Sequence, residues 1–433
     1  MKYFFLTIGL TFSSLVFSQF KITGEIKNYN EQAVMVRLFK GSSDKLINKI
    51  TTDKAGKFQV SIPEKFSGIV RLTLPANNAL VDILTDNENV QFSSELSSNG
   101  ITNLEFKEGK NAKGFQNYQN FQAFNDIKNS VFPMVKQVYK TDDEFYKAVV
   151  KEEERIKTLN PSTDLPLLKY FVELSDLSNT QPEGKPAAQM HMHKILTRFV
   201  NDNDYLEGSG FMSKLVLDYL RNSIVGAQSQ QEINTTLEKE IDLLLEKTDL
   251  ETSRGQNILS SIFLVLPAEQ FSGLLEKYYS KASALTCEIT DELKTSLNAH
   301  NNVAPGKVVP NLVFKTPIKG IKSLHDIKAD KKLVIFWASW CPACNDEMPF
   351  VKEYYRNFKQ EGGEILSISL DIDKAAFESA TKDFEWLNYT ELLQWDTTGV
   401  AEFGVTSTPT IFLLDKDNKL IKRGSHISEF VEL

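Results

Sequence analysis

A chain of 433 residues is too long for one ordinary hydrophobic core, so several domains are expected; 41% hydrophobic and 24% charged residues are the balance of a soluble globular protein. A net charge of −8 offers no basic face for phosphates and argues against a nucleic-acid partner. Three cysteines in all are too few for a disulfide framework.

The chain begins with Lys2 and an apolar run from Tyr3 to Phe17. Ser18, with Val16 two residues before it, suits a signal-peptidase site and would leave Gln19 as the mature N-terminus. Residues 1–18 therefore read as a secretory signal, with an uncleaved anchor as the alternative. No cysteine follows the run, so lipid attachment there is not expected, and no later stretch reaches membrane-spanning length.

From Phe20 to Phe106, short alternating runs such as FKITGEIKNY, AVMVRLFKG, KFQVSI, GIVRLTL, LVDILT and NVQFSS are separated by turn residues. Residues 19–108 are expected to form an antiparallel β domain, a sandwich or open barrel. Between residues 109 and 300 the texture becomes helical, with amphipathic stretches including FQAFNDIKNSVFPMVKQVYK, AQMHMHKILTRFV and QEINTTLEKEIDLLLEKT. NPSTDLP and NTQPEGKP read as breaks within this all-α domain. Asn301 to Phe314 is a Pro- and Gly-marked linker into residues 301–433, where strands and helices alternate. KKLVIFWAS, GEILSISLDI, YTELLQWD, PTIFLLD and KLIKRG are expected strands; PACNDEMPFVKEYYRNFKQ, KAAFESATKDF and TTGVAEFGV are expected helices. DKDN makes the last two strands an antiparallel pair, so the sheet should be mixed α/β.

Two of the three cysteines, Cys341 and Cys344, stand three residues apart directly after an apolar strand. Pro342, a favoured first-turn residue, opens the helix that follows. A free thiol titrates near ~8.5, and a helix N-terminus lowers that value by offering free N–H groups and partial positive charge. Cys341 is thus expected to attack a partner disulfide. Cys344, one turn later, reaches the same sulfur and resolves the mixed disulfide. Trp340 offers a flat apolar rim for a partner chain. A zinc site would need two more ligands, and Cys287, His300 and His325 form no suitable pair. An inert structural disulfide would close so short a loop that it gains little chain-entropy stabilisation. Thr408-Pro409 stands before the next apolar strand, a place compatible with a cis bond that would present the Thr408 backbone to an extended peptide.

Residues 305–424, with LVIFWASWCPACNDEMP, EILSISLDID and GVAEFGVTSTPTIFLLDKDNKL in that order, resemble the TlpA/ResA-like thiol–disulfide oxidoreductases of the bacterial envelope. The resemblance covers under a third of the chain. It implies a thioredoxin fold, a redox-active Cys341–Cys344 pair, Pro409 as the cis-proline, and Trp340, Pro342 and Thr408 beside it on the substrate-facing surface. Thioredoxins carry a buried Asp where this chain has Ile335; Glu347 instead matches the acid of the TlpA/ResA type. Glu347 shares a helix face with Cys344, and a half-buried carboxyl there would trade protons with the thiols; a solvated helix carboxylate is the bland alternative, expected for Asp346. A peroxiredoxin is disfavoured, because Ala338 and Val334 occupy the Thr and Pro positions of its motif.

Cys287 is expected to be a small buried side chain on a helix. His191 and His193 would point to different faces and make no metal pair. The whole reads as a multidomain envelope protein of a Gram-negative bacterium, in the periplasm, that exchanges dithiols and disulfides with protein substrates, with reduction favoured by analogy. The resemblance implies no metal or organic cofactor, but requires an electron donor, expected to be a membrane thiol carrier. The contrasting reading is a binding or scaffold protein whose thioredoxin domain only docks partners; an intact C-P-A-C argues against it.

Overall fold

The computed structural model describes residues 20–77, 79–159 and 164–431, so the expected export segment, residues 1–18, lies outside the described residues. Strands β1 (Phe20–Lys27), β2 (Ala33–Lys40), β3 (Ser43–Thr51), β4 (Lys57–Ile62), β5 (Ser67–Leu74), β6 (Ala79–Asp86), β7 (Val90–Ser97) and β8 (Gly100–Glu108) form two sheets, ordered β4-β1-β7-β8 and β3-β2-β5-β6. Alternate residues of β1, β4 and β7 face inward, and Ile22, Val60 and Phe92 from that sheet share a buried core with Val36, Val70 and Leu72 from the other. One pairing departs from the antiparallel expectation. β1 and β7 run parallel, Ile22 opposite Val90, because the chain between them crosses through the other sheet before returning. β3 and β8 are strands that the hydrophobic pattern does not announce; they are edge strands, and only Phe106 of β8 and no residue of β3 is buried.

The helices that follow are α1 (Lys110–Ser130), α2 (Phe132–Val138), α3 (Glu144–Thr158), α4 (Pro166–Asn179), α5 (Gly184–Asn201), α6 (Tyr205–Gly208), α7 (Met212–Ser223), α8 (Gln230–Thr248), α9 (Ser253–Val265), α10 (Ala268–Ser283) and α11 (Asp291–Asn302). The single helix expected over 121–140 is two, α1 and α2, split at Val131 because Pro133 falls in the first turn of the second. α8, α9 and α11 each begin at a side-chain cap, Ser229, Thr252 and Thr290 accepting from the amides of Glu232, Gly255 and Leu293. The apolar faces of α5 and α7 to α11 meet in one core around Phe199, Leu215, Ile241, Ile258 and Tyr278.

The C-terminal part opens with a hairpin, β9 (Val313–Ile318) and β10 (Ile321–Ser323). Then come β11 (Lys331–Trp337), α12 (Pro342–Gln360), β12 (Gly363–Ser369), α13 (Lys374–Thr381), β13 (Leu387–Thr390), β14 (Thr410–Asp415) and β15 (Leu420–Gly424). The sheet order is β13-β12-β11-β14-β15; β12 and β13 run parallel to β11, and β14 and β15 form the expected antiparallel hairpin. This is a thioredoxin-type mixed sheet with β11 at its centre. Two expected elements change. The strand over YTELLQWD stops at Thr390, because Leu392 and Gln394 adopt left-handed φ of 56° and 54°. TTGVAEFGV is a chain of turns rather than a helix, with Gly399 and Gly404 at φ of 96° and 59°.

The β-rich and helical parts touch closely at Gly68 and Gly208. A Cβ on Gly68 would lie 2.3 Å from the Gly208 carbonyl oxygen, so neither position has room for a side chain. Both parts also reach the segment before β14. Arg37 of β2, held by Asp44 at 2.9 Å, pairs with Asp396, and Asn302 of α11 donates to the Glu402 carbonyl at 3.1 Å.

Candidate active site

β11 carries the site because it is buried on both faces: Leu333 to Trp337 are all at most 1% exposed. Phe336 lies opposite Thr410 of β14, so the Thr408-Pro409 peptide falls beside the loop that leaves β11. That peptide is cis. Ile335, standing where thioredoxins carry an acid, is fully buried between Ser367 and Ile411.

Cys341 is the N-cap of α12 and Pro342 its first residue. The cap sulfur accepts the Cys344 amide N–H at 3.4 Å, and the Cys341 thiol donates to the Thr408 carbonyl at 3.3 Å. Both cysteines are free thiols; Cys341 keeps 7% exposure and Cys344 none. Of the two, only Cys341 keeps any contact with solvent. Trp340 and Pro342 are exposed at the rim, Thr408 is half-buried and Pro409 buried.

The surroundings drive the two thiols apart. Burial pushes Cys341 up, but hydrogen bonds from the Cys344 thiol, the Thr408 side chain and the amides of Cys344 and Ala343 outweigh it, so its pKa lies below the ordinary thiol value. Burial, reinforced by the Cys341 sulfur, pushes Cys344 up to about 12. A less enclosed sulfur favoured as thiolate stands beside a fully enclosed sulfur held as a thiol.

Glu347 is buried, 8% exposed, so it is not the solvated carboxylate that Asp346, exposed on the next face, is. Its hydrogen bonds run to the C-terminal segment: Oε1 accepts the Ile427 amide at 2.6 Å, and Oε2 lies 3.0 Å from His426 Nδ1. Replacing Glu347 with Ala leaves that buried amide without its acceptor and should cost about 1–3 kcal/mol, whereas Glu347→Gln keeps an acceptor there. Urea denaturation of both variants checks this; equal stabilities would show that the Ile427 bond contributes nothing.

The region 304–429 matches the Redoxin family model. The thiol-disulfide oxidoreductase ResA of Bacillus subtilis strain 168 is 27% identical over 121 residues, covering 28% of this chain and 67% of that protein. A solved thiol-disulfide oxidoreductase from Bacteroides fragilis NCTC 9343 is 25% identical, covering 29% of this chain and 98% of that one, with a TM-score of 0.26. A ResA of Bacillus cereus is 33% identical over 119 residues, 27% of this chain and 68% of that protein. The chain belongs to the ResA-like thiol–disulfide oxidoreductases. Its activity is that of a protein thiol–disulfide oxidoreductase.

Outside the ResA-like site, the structure revises one expectation. Cys287 is neither fully buried nor helical; it lies half-buried in the bend between α10 and α11, accepting from Gln256 Nε2 at 3.5 Å. His191 is buried and His193 exposed, and no group of three His, Cys, Asp or Glu among the described residues is arranged to hold a metal. Among the described residues no helix is long and apolar enough to cross a membrane. Asp371, Ser339 and His426 are site residues that the ResA-like motif did not single out. Asp371 had one signal, a carboxylate just past the C-terminal end of an apolar strand, where α/β sheets gather their chemistry.

Proposed function

We propose that the protein is exported to the envelope and reduces disulfides of proteins there through the Cys341–Cys344 dithiol. The observation that carries this reading is the asymmetry of the pair: Cys341 stands at a helix N-cap, the less enclosed of the two, with its pKa lowered, and Cys344 is fully enclosed with its pKa raised. The Cys341 thiolate attacks one sulfur of the substrate disulfide, that bond breaks, and the departing substrate sulfur takes a proton. Cys344 then loses its proton, attacks the Cys341 sulfur and releases the second substrate thiol. Two electrons and two protons have passed to the substrate, and the oxidised pair is recharged by a thiol donor, in this reading a membrane carrier. Trp340, Pro342, Thr408 and Pro409 form the surface that the substrate chain meets. Glu347 shares a helix face with Cys344 and manages the proton released there. Residues 1–18 are the export signal; 19–108, 109–300 and 301–433 are the β, helical and thioredoxin-like units.

Insulin reduction with a small dithiol as donor tests the reading. Turnover lost in Cys341→Ser is the expected result. A folded wild-type protein without turnover would leave only the docking role for its thioredoxin-like part.

A further inference from the structure

We propose that Asp371 is a positioning residue for the thiol pair: its buried carboxylate clamps Ser339 and so fixes how Cys341 meets the N–H groups that open α12. The inference rests on the reading of Cys341 as the attacking sulfur. Asp371 lies two residues beyond the end of β12 and is 1% exposed. A carboxylate that deeply buried is costly unless its oxygens are matched by donors. Here they are. Oδ1 and Oδ2 each stand 3.2 Å from the Ser339 amide nitrogen, the Ser339 hydroxyl donates to Oδ1 at 2.6 Å, and the Ser369 hydroxyl donates to Oδ2 at 2.5 Å.

Ser339 is the second residue before Cys341, and it is gripped from the helix side as well. Its carbonyl accepts Asn345 Nδ2 at 2.9 Å. The Leu370 amide donates to the Trp337 carbonyl at 2.8 Å, and the Cys341 amide to the Ala338 carbonyl at 3.2 Å, closing the turn on either side. The loop from Ala338 to Trp340 is thus tied to the end of β12 and to the first turn of α12 together. The Cys344 amide donates to the Cys341 sulfur at 3.4 Å, so a shift of the loop that moves the sulfur off the amide weakens this bond. A weaker bond to the thiolate raises the thiol pKa. A bare negative charge at Asp371 would act in the opposite direction, because removing it would ease ionisation of Cys341. The sign of the change therefore separates positioning from simple electrostatics.

The experiment is the alkylation rate of Cys341 against pH in the reduced full chain, for wild type, Asp371→Asn, Ser339→Ala and the double variant. Asn keeps the size and one acceptor oxygen but cannot serve all three donor groups. The Asp371→Asn curve is expected to move to higher pH by about half a unit, a roughly threefold lower rate at a pH below both values. Ser339→Ala, which changes no charge, should move it the same way by less, and adding it to Asp371→Asn should add little. A shift to lower pH would assign Asp371 a direct charge effect and overturn the proposal. Unmoved curves in variants with native circular dichroism would overturn it as well, leaving Asp371 a role in packing alone. If Asp371→Asn does not fold, Ser339→Ala decides by itself, and an unmoved curve is fatal. Failure of the underlying reading looks different: wild type would then show no low-pKa thiol that Cys341→Ser removes.

Discussion

Cys344→Ser should turn the protein into a trap that holds substrate proteins on Cys341 as stable mixed disulfides, with turnover reduced by at least about 10³-fold. The cap position gives Cys341 the N–H groups that favour its thiolate, and its 7% exposure gives a partner access, so the first step survives the substitution. The second step does not, because the sulfur that would displace the substrate is gone. Cys341→Ser should lose turnover equally and trap almost nothing: Cys344 has no exposure, and a pKa of about 12 leaves it almost entirely as a thiol at neutral pH. The measurement is non-reducing electrophoresis of each variant after incubation with an oxidised envelope extract and acid quenching. Trapping by Cys341→Ser but not by Cys344→Ser would reverse the assignment of the two sulfurs.

The centre of this site is legible because local signals agree there. A run of apolar residues long enough to be buried on both faces, then Cys, then Pro at a helix start, leaves few alternatives for Leu333 to Cys344. Elsewhere the deciding interactions are long-range or silent. α9 is buried on every side from Gly255 to Phe263, so its sequence carries no apolar stripe to read. α4 begins at Pro166, the residue that reads as the end of a break and is in fact the first helical position. The parallel β1–β7 pairing depends on strands separated by the whole of the other sheet, which no local pattern records. The same holds for the side chains around the thiols. That Glu347 is an acid at the right spacing is visible; that its carboxylate binds Ile427 and His426, 80 and 79 positions away, is a product of packing.

At neutral pH a small alkylating agent should modify Cys341 at least about 30 times faster than Cys344 in the reduced protein. The bound is the thiolate ratio, about 10³, reduced by the greater intrinsic nucleophilicity of the higher-pKa thiolate, whose rate rises by roughly 0.4–0.5 log units per pKa unit. Cys341 ionises below the ordinary thiol value and Cys344 at about 12, roughly three units or more apart. Burial of Cys344 widens the gap further. Rates should be measured in a Cys287→Ser background, so that only this pair reports. The same shifts govern stability in reductant. The lowered pKa of Cys341 stabilises the fold above the ordinary thiol value, and this contribution is lost as pH falls through the lowered value. The raised pKa of Cys344 acts in the other direction: its contribution is present below the ordinary thiol value and is lost as pH rises toward 12. Alkaline destabilisation between about 9 and 12 should therefore shrink in Cys344→Ser and persist in Cys341→Ser. Glu347→Gln adds a test of proton management. If the carboxylate one turn past Cys344 opposes a second negative charge, its removal lets the enclosed thiol ionise at lower pH. The reduced form gains only where that thiol is ionised, so the pair becomes less reducing by ~30 mV for each pKa unit at pH above the Cys344 value and keeps its potential at neutral pH. Curves for wild type and Glu347→Gln that superimpose would confine Glu347 to its bonds with His426 and Ile427. Equal alkylation of the two cysteines at neutral pH would remove the asymmetry on which the order of attack and resolution depends.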